Sequence, residues 1–129
     1  MIVKQLDDIL GTNDHVVGEA FESRRILLAA DGLGYSLHDT VVAPGSVQVL
    51  EYKNHVESNY CIAGGGTVEN VATGEVFPLR PGSLYTLDGH ERHIIRAGDD
   101  GLRFICIFTP ALTGQEVHDE DGSYGLPEG

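Results

Sequence analysis

Glu51, Lys53 and Glu57 crowd into one short stretch of this chain, and Tyr85 and His93 follow further on. Glycines frame them at regular intervals. Gly45 is followed after five residues by Glu51-Tyr52-Lys53, after three more by Glu57, and after six more by Gly64. Gly74 is followed after five residues by Arg80-Pro81-Gly82 and after two more by Tyr85. Alternate residues of a strand share a face, so side chains from several strands can converge inside a closed sheet. Lys53 cannot ligate a metal while charged, and burying it unpaired would be costly. The oxygens of Glu57 and Tyr85 with the imidazole of His93 form a three-ligand set with coordination positions to spare. That donor mixture suits iron best, with manganese and zinc as alternatives. Three protein ligands with an open position mark a catalytic metal site, not a structural one. Taken singly, each of these residues is more often solvated or a satisfied core residue; their joint spacing carries the reading.

The elements that must hold these groups are short and β-rich. Ser36 to Val42, Val47 to Tyr52, Asn59 to Ala63, Thr67 to Val71, Gly74 to Leu79, Leu84 to Leu87, His93 to Ala97 and Leu102 to Phe108 read as strands. Ala43-Pro44-Gly45, Gly64-Gly65-Gly66, Ala72-Thr73-Gly74, Arg80-Pro81-Gly82, Asp88-Gly89 and the Gly98–Gly101 stretch separate them. Thr73-Gly74 suits a tight hairpin. Arg24 to Ala30 is read as a strand, and Gln5 to Leu10 as one helical turn after a first strand. The pattern predicts an all-β fold, a single small barrel over residues 1–111. From Leu112 to Gly129 the chain turns polar and acidic, a flexible C-terminal tail or a lid over the barrel mouth.

At 129 residues there is room for one domain, and its 17 glycines exceed the usual share, as many tight turns would require. A net charge of -12 argues against nucleic-acid or anionic-membrane partners, which would be repelled. No apolar run approaches the length of a membrane span. The acidic start after Met1-Ile2-Val3 lacks the pattern of a signal peptide, so a cytoplasmic location is expected. Cys61 and Cys106 are expected as buried thiols and not as a bridge. His15, His38, His55 and His90 are expected at surface or turn positions.

The two glycine-framed segments resemble the two motifs of the cupins. Those motifs carry His-x-His where this chain has Glu51 and Lys53, Glu where it has Glu57, and His where it has Tyr85. The resemblance extends further, to the ectoine synthases. Glu22-Ser23-Arg24-Arg25, His38-Asp39-Thr40, Arg80-Pro81-Gly82-Ser83-Leu84-Tyr85, Glu91-Arg92-His93 and the tail segment Leu112 to Gly122 are all similar to segments of that family. The resemblance implies a cupin-type jelly-roll barrel that cyclises N-γ-acetyl-L-2,4-diaminobutyrate to ectoine, a compatible solute, with loss of water. It implies one divalent metal, Fe(II), at Glu57, Tyr85 and His93, and catalytic roles for Tyr52 and Glu116. It further implies substrate contacts from Phe21, Arg25, Thr40, Cys106, Phe108 and His118, and a homodimer. Phe21 stands where the family would have Trp, Gln115 where it would have Arg, and Thr109 where it would have Asn. These departures bear on substrate affinity and preference more than on reaction type.

An amide is a poor electrophile, so the expected reaction needs its carbonyl polarised, its attacking amine deprotonated and its leaving hydroxyl protonated. Glu116 is expected as the base and Tyr52 as the acid, or as a group steadying the tetrahedral intermediate. Arg25 is expected to take the substrate carboxylate. Two alternatives share the pocket: a cupin dioxygenase or isomerase, and a cupin that binds a small zwitterion without changing it.

Overall fold

The computed structural model describes residues 1–114 and Ser123. A short helix α1 (Leu6–Ile9) precedes β1 (His15–Val17) and β2 (Phe21–Leu27), and one 3-10 turn (Ala29–Asp31) leads to β3 (Ser36–Val42). Then come β4 (Val47–Leu50), β5 (Val56–Asn70), β6 (Val76–Leu79), β7 (Leu84–Thr86) and β8 (His93–Thr109). All pairings are antiparallel, in the order β1-β2-β3-β8-β5-β6, with β4 also on β8 and β7 also on β5.

Two long strands make the barrel. The C-terminal half of β8 lies between β3 and the first half of β5, and its N-terminal half lies between β4 and the second half of β5. Their inward positions alternate as a half-buried strand requires. Glu57, Asn59 and Cys61 of β5 are buried, as are His93, Ile95, Ala97, Phe104, Cys106 and Phe108 of β8. With Val42, Tyr52, Val68, Leu79, Leu87, Leu102 and Leu112 the apolar members of this set form one core.

The strand boundaries depart from the sequence reading in an instructive way. Gly64-Gly65-Gly66 and the Gly98–Gly101 stretch were expected as turns, but β5 and β8 run straight through them. The register shifts between Cys61 and Ala63 and again between Gly64 and Gly66, so these glycines mark bulges where the long strands bend. A Cβ at Gly64 would collide with the Gly101 carbonyl oxygen, and one at Gly66 with the Arg96 carbonyl oxygen. The glycines therefore allow two backbones to close on each other at a barrel corner. The Thr73-Gly74 hairpin is present, with Gly74 at φ 74° and its N–H on the Asn70 carbonyl at 2.8 Å. No strand precedes α1, and the first begins at His15. The Arg24 to Ala30 run is strand only to Leu27, where it gives way to the 3-10 turn. Both cysteines are buried and unbridged.

Neighbouring arginines in β2 take opposite faces. Arg24 turns outward and donates from Nη2 to Asp39 Oδ1 at 2.6 Å, while Arg103 of β8 grips the same carboxylate at 2.9 and 2.6 Å. Burial works to raise the pKa of Asp39, but the donors from Arg103 and Arg24 outweigh it and hold the carboxyl below its ordinary value. This clamp ties β2, β3 and β8 together on the outside of the barrel. Arg25 turns inward and is fully buried.

Candidate active site

One cavity opens into the barrel, with about 480 Å³ of space counted together with the open solvent at its mouth. Six strands and one connection line it. Phe21 and Ser23 come from β2, His38 and Thr40 from β3, and Gln48 and Leu50 from β4. Tyr52 comes from the β4–β5 connection, Glu57 and Asn59 from β5, Tyr85 from β7, and Ile95, Phe104, Cys106 and Phe108 from β8. Seven side chains expected at the site thus meet here: Phe21, Thr40, Tyr52, Glu57, Tyr85, Cys106 and Phe108. Phe108 meets the Tyr52 ring edge-on at 5.1 Å, and the Cys106 thiol donates to the Thr40 hydroxyl at 3.5 Å.

His93 lies in an adjoining hollow whose shared wall is Tyr85, with ring centroids 6.2 Å apart. The Tyr52 ring is 6.0 Å from it on another side. Arg25 does not line the cavity itself. Its Nε donates to Ser23 Oγ at 3.3 Å and its Nη1 to the Gly114 carbonyl at 2.8 Å. Glu116 and His118 lie outside the described residues. The residues flanking that stretch are anchored on the barrel: Gly114 on Arg25, and the buried Ser123 through its Oγ, which accepts the Lys53 N–H at 3.0 Å.

Burial sets the electrostatics of all three candidate ligands. Burial pushes the Glu57 carboxyl up to about 8, with the neighbouring Asn59 amide pulling the other way. Burial, and then Glu57, Cys106 and Cys61, raise the Tyr85 phenol well above its ordinary value. Burial lowers the His93 pKa against the pull of the Glu91 carbonyl, so the ring is neutral near pH 7. A carbonyl can only accept, so the 3.0 Å contact with Glu91 places the ring hydrogen on Nδ1. The lone pair on Nε2 is then buried with no hydrogen-bond partner. An imidazole fixed by its Nδ1–H and bare at Nε2 is arranged as metal ligands are. Among the described residues no three His, Cys, Asp or Glu side chains gather as a metal group. A cation here therefore needs the Tyr85 oxygen beside Glu57 and His93. A divalent charge would reverse the direction of both oxygen shifts and favour the ionised forms.

These shifts have a measurable consequence. The folded, metal-free protein holds the Glu57 proton more tightly than the unfolded chain does, from 4.5 ordinarily to about 8. The associated stability is therefore full at low pH and is lost as pH rises toward 8. Between pH 6.5 and 8 the loss is about 1.5 kcal/mol. His93 acts with the opposite sign, below its ordinary 6.5, and so outside this window. Urea unfolding of metal-stripped wild type and Glu57→Gln at the two pH values reads the difference. Parallel pH dependence in the two proteins would contradict the burial of an ionisable carboxyl.

Two histidines correct the sequence reading. His38 and His55 were expected at surface or turn positions and are both fully buried. His38 stands in the cavity wall between Ser23 and Ser36, with ring nitrogens 3.2 and 3.1 Å from their hydroxyls. Strand parity could have found it, since Thr40, two residues on, was expected inside. His55 packs edge-on to Phe108 at 6.0 Å. His15 is half-buried at the start of β1, and His90 is exposed beside the Asp88-Gly89 turn. His90 Nδ1 lies 2.8 Å from the Tyr52 carbonyl and 3.0 Å from that of His55, which fixes the connection carrying Tyr52. Asn59, read only as the first residue of a strand, is a further buried cavity residue.

Comparison with known proteins supplies the context of this geometry. Residues 1–128 match the family model described as ectoine synthase. The chain is 51% identical over 128 residues to the L-ectoine synthase of Desulfosudis oleivorans, covering 99% of each chain. It is 55% identical over 126 residues to that of Desulfatibacillum aliphaticivorans, covering 96% of each. The crystal structure of ectoine synthase from P. lautus matches with a TM-score of 0.88 at 50% identity, over 95% of this chain and 87% of that one. KdgF from Halomonas sp. shares the fold alone, with a TM-score of 0.63 at 20% identity over 74% of this chain and 84% of its own.

Proposed function

This chain belongs to the ectoine synthase family, and from that premise we propose that it is an L-ectoine synthase, a lyase that closes N-γ-acetyl-L-2,4-diaminobutyrate to ectoine with loss of water. The observation that carries this reading is the meeting of Glu57, Tyr85 and Tyr52 in one buried cavity, with the bare Nε2 of His93 alongside. The α-amine attacks the γ-acetamide carbonyl carbon. The carbonyl oxygen then leaves as water with two protons given up by the amine nitrogen, and a C=N bond closes the six-membered ring. Glu57, Tyr85 and His93 would hold one divalent metal, iron by the chemistry of the donors. Bound there, it would supply Lewis acidity toward the amide.

The chain's own residues do the rest. Tyr52 donates its phenolic proton toward the departing oxygen, and Glu116 takes a proton from the amine. Gly114 and Ser123, seated on Arg25 and Lys53 to either side of the Glu116 stretch, support that assignment. Arg25 draws the substrate carboxylate toward the Ser23 side of the cavity, where its Nε already lies. Thr40, Cys106 and His118 complete the polar contacts. Phe21, Phe104 and Phe108 give an apolar wall that keeps the flexible substrate folded and water out, which favours both ring closure and dehydration. The protein works as a homodimer in the cytoplasm on this reading. The exposed apolar Met1, Ile2 and Val3 support the first part, and the two buried unbridged thiols the second.

Incubation of the iron-loaded protein with N-γ-acetyl-L-2,4-diaminobutyrate, followed by mass spectrometry, tests the reaction. The expected product is lighter than the substrate by one water and forms without consuming oxygen. Oxygen uptake, or substrate bound yet unchanged after long incubation, would replace this reading with a dioxygenase or a binding protein.

A further inference from the structure

Asn59 is a polar side chain whose hydrogen bonding is incomplete. It is 2% exposed and lines the cavity, yet its Nδ2 has no hydrogen-bond partner. The amide pulls the Glu57 pKa down as a donor does, yet no acceptor stands within hydrogen-bond geometry of Nδ2. An orphaned buried amide is a cost that an apolar residue of the same shape avoids. A binding site tolerates such a cost when the missing partner arrives with the ligand.

The neighbours say what that partner is. Asn59 lies two residues along the same face of β5 from Glu57, and its Cα is paired with Tyr85 of β7 on one side and Cys106 of β8 on the other. An amide NH₂ can only donate, so the partner is an acceptor. The substrate of the proposed reaction brings two acceptor groups, a carboxylate and an acetamide oxygen. In the proposed reaction Arg25, on the Ser23 side of the cavity, takes the carboxylate, which leaves the acetamide oxygen for the Glu57–Tyr85 wall. The acetamide oxygen is an acceptor that a donated hydrogen bond suits. We propose that Asn59 is a further catalytic residue, whose Nδ2 donates to the acetamide oxygen of the substrate in the Glu57–Tyr85 wall of the cavity.

This role rests on the ectoine synthase reading and adds a named donor to it. As the amine lone pair forms the C–N bond, the carbonyl π pair moves onto oxygen, and a donor already in place there gains strength as the charge develops. The oxygen then takes two protons from the amine nitrogen and departs as water, which frees Nδ2 again.

Asn59→Leu, with Asn59→Val as a smaller alternative should Leu pack badly, separates this role from the others. Both variants are compared with wild type for turnover of the acetamide substrate and of its thioacetamide analogue, for melting temperature, and for iron affinity. Sulfur accepts hydrogen bonds weakly, so the analogue reports on the donor. The expected outcome is a kcat about 10²-fold lower on the oxygen substrate, with KM little changed. The preference for oxygen over sulfur should shrink by about tenfold or more, and Tm should rise by on the order of 5 °C as the orphaned amide is removed.

Three results would overturn the assignment: kcat unchanged in both variants, equal losses on the two substrates with a lowered Tm, or weakened iron binding with full rate at saturating metal. The second would make Asn59 structural, and the third would make it a support for Glu57. Iron-loaded wild type inert on the acetamide would remove the reaction itself and Asn59's role with it. An active wild type with unaffected variants removes only the role of Asn59.

Discussion

Glu57→Ala is expected to yield a folded protein that does not retain iron and whose kcat/KM for ectoine formation is lower by at least about 10³-fold. The magnitude follows from losing several kcal/mol of carbonyl polarisation, at about 1.36 kcal/mol per tenfold in rate. The fold survives for a specific reason. Burial already pushes this carboxyl up to about 8, so in the metal-free barrel Glu57 is a strained group and its removal relieves desolvation. Loss of function therefore comes with unchanged or increased thermal stability before metal is added. His93→Ala should match it in lost metal, because the bare Nε2 has no structural bond to break while Nδ1 holds only the Glu91 carbonyl. Metal content by atomic emission, measured beside activity and Tm, checks the three together. A Glu57→Ala protein within tenfold of wild-type activity would contradict the ligand assignment.

Tyr52→Phe is expected to lower kcat by about 10²–10⁴-fold, the usual worth of one positioned proton transfer, with KM nearly unchanged. The ring itself stays. Its edge-on contact with Phe108 at 5.1 Å and its place 6.0 Å from His93 do not depend on the hydroxyl. The connection that carries it stays too, because His90 grips the backbone carbonyls of Tyr52 and His55. Only the phenolic oxygen and its proton are removed from a wall that is otherwise intact. Steady-state kinetics and a metal titration on the same preparation separate a lost acid from a lost ligand. An undiminished kcat would move the acid elsewhere.

What could be read in advance was mostly parity. Glu57, Asn59 and Cys61 share the inner face of β5, and Phe104, Cys106 and Phe108 that of β8, as alternation along a strand requires. Tyr52 is the delicate case, since a slip of one residue would have turned it outward and brought Glu51 and Lys53 in. It is 3% exposed and lines the cavity. The same parity carries His38 inward with Thr40, two residues on along the same face of β3.

What could not be read was long-range. Glycine runs signal a break in a strand, but whether the chain turns or merely bends there depends on the strand lying opposite. At Gly64 and Gly66 the opposing carbonyls of Gly101 and Arg96 decide for a bend. Likewise nothing local shows that Arg25, fully buried, would spend Nη1 on the Gly114 carbonyl at the far end of the chain. The pairing of Arg24 and Arg103 on Asp39 is equally non-local, since it joins three strands.

The most direct measurement takes the wild-type protein, strips it of metal, and restores ferrous iron in steps during incubation with N-γ-acetyl-L-2,4-diaminobutyrate. Ectoine should be absent from the stripped sample and should appear in proportion to iron bound, reaching full rate at one ion per chain. Undiminished turnover in the stripped protein would take the metal out of the reaction and leave Glu57, Tyr85 and His93 with some other role.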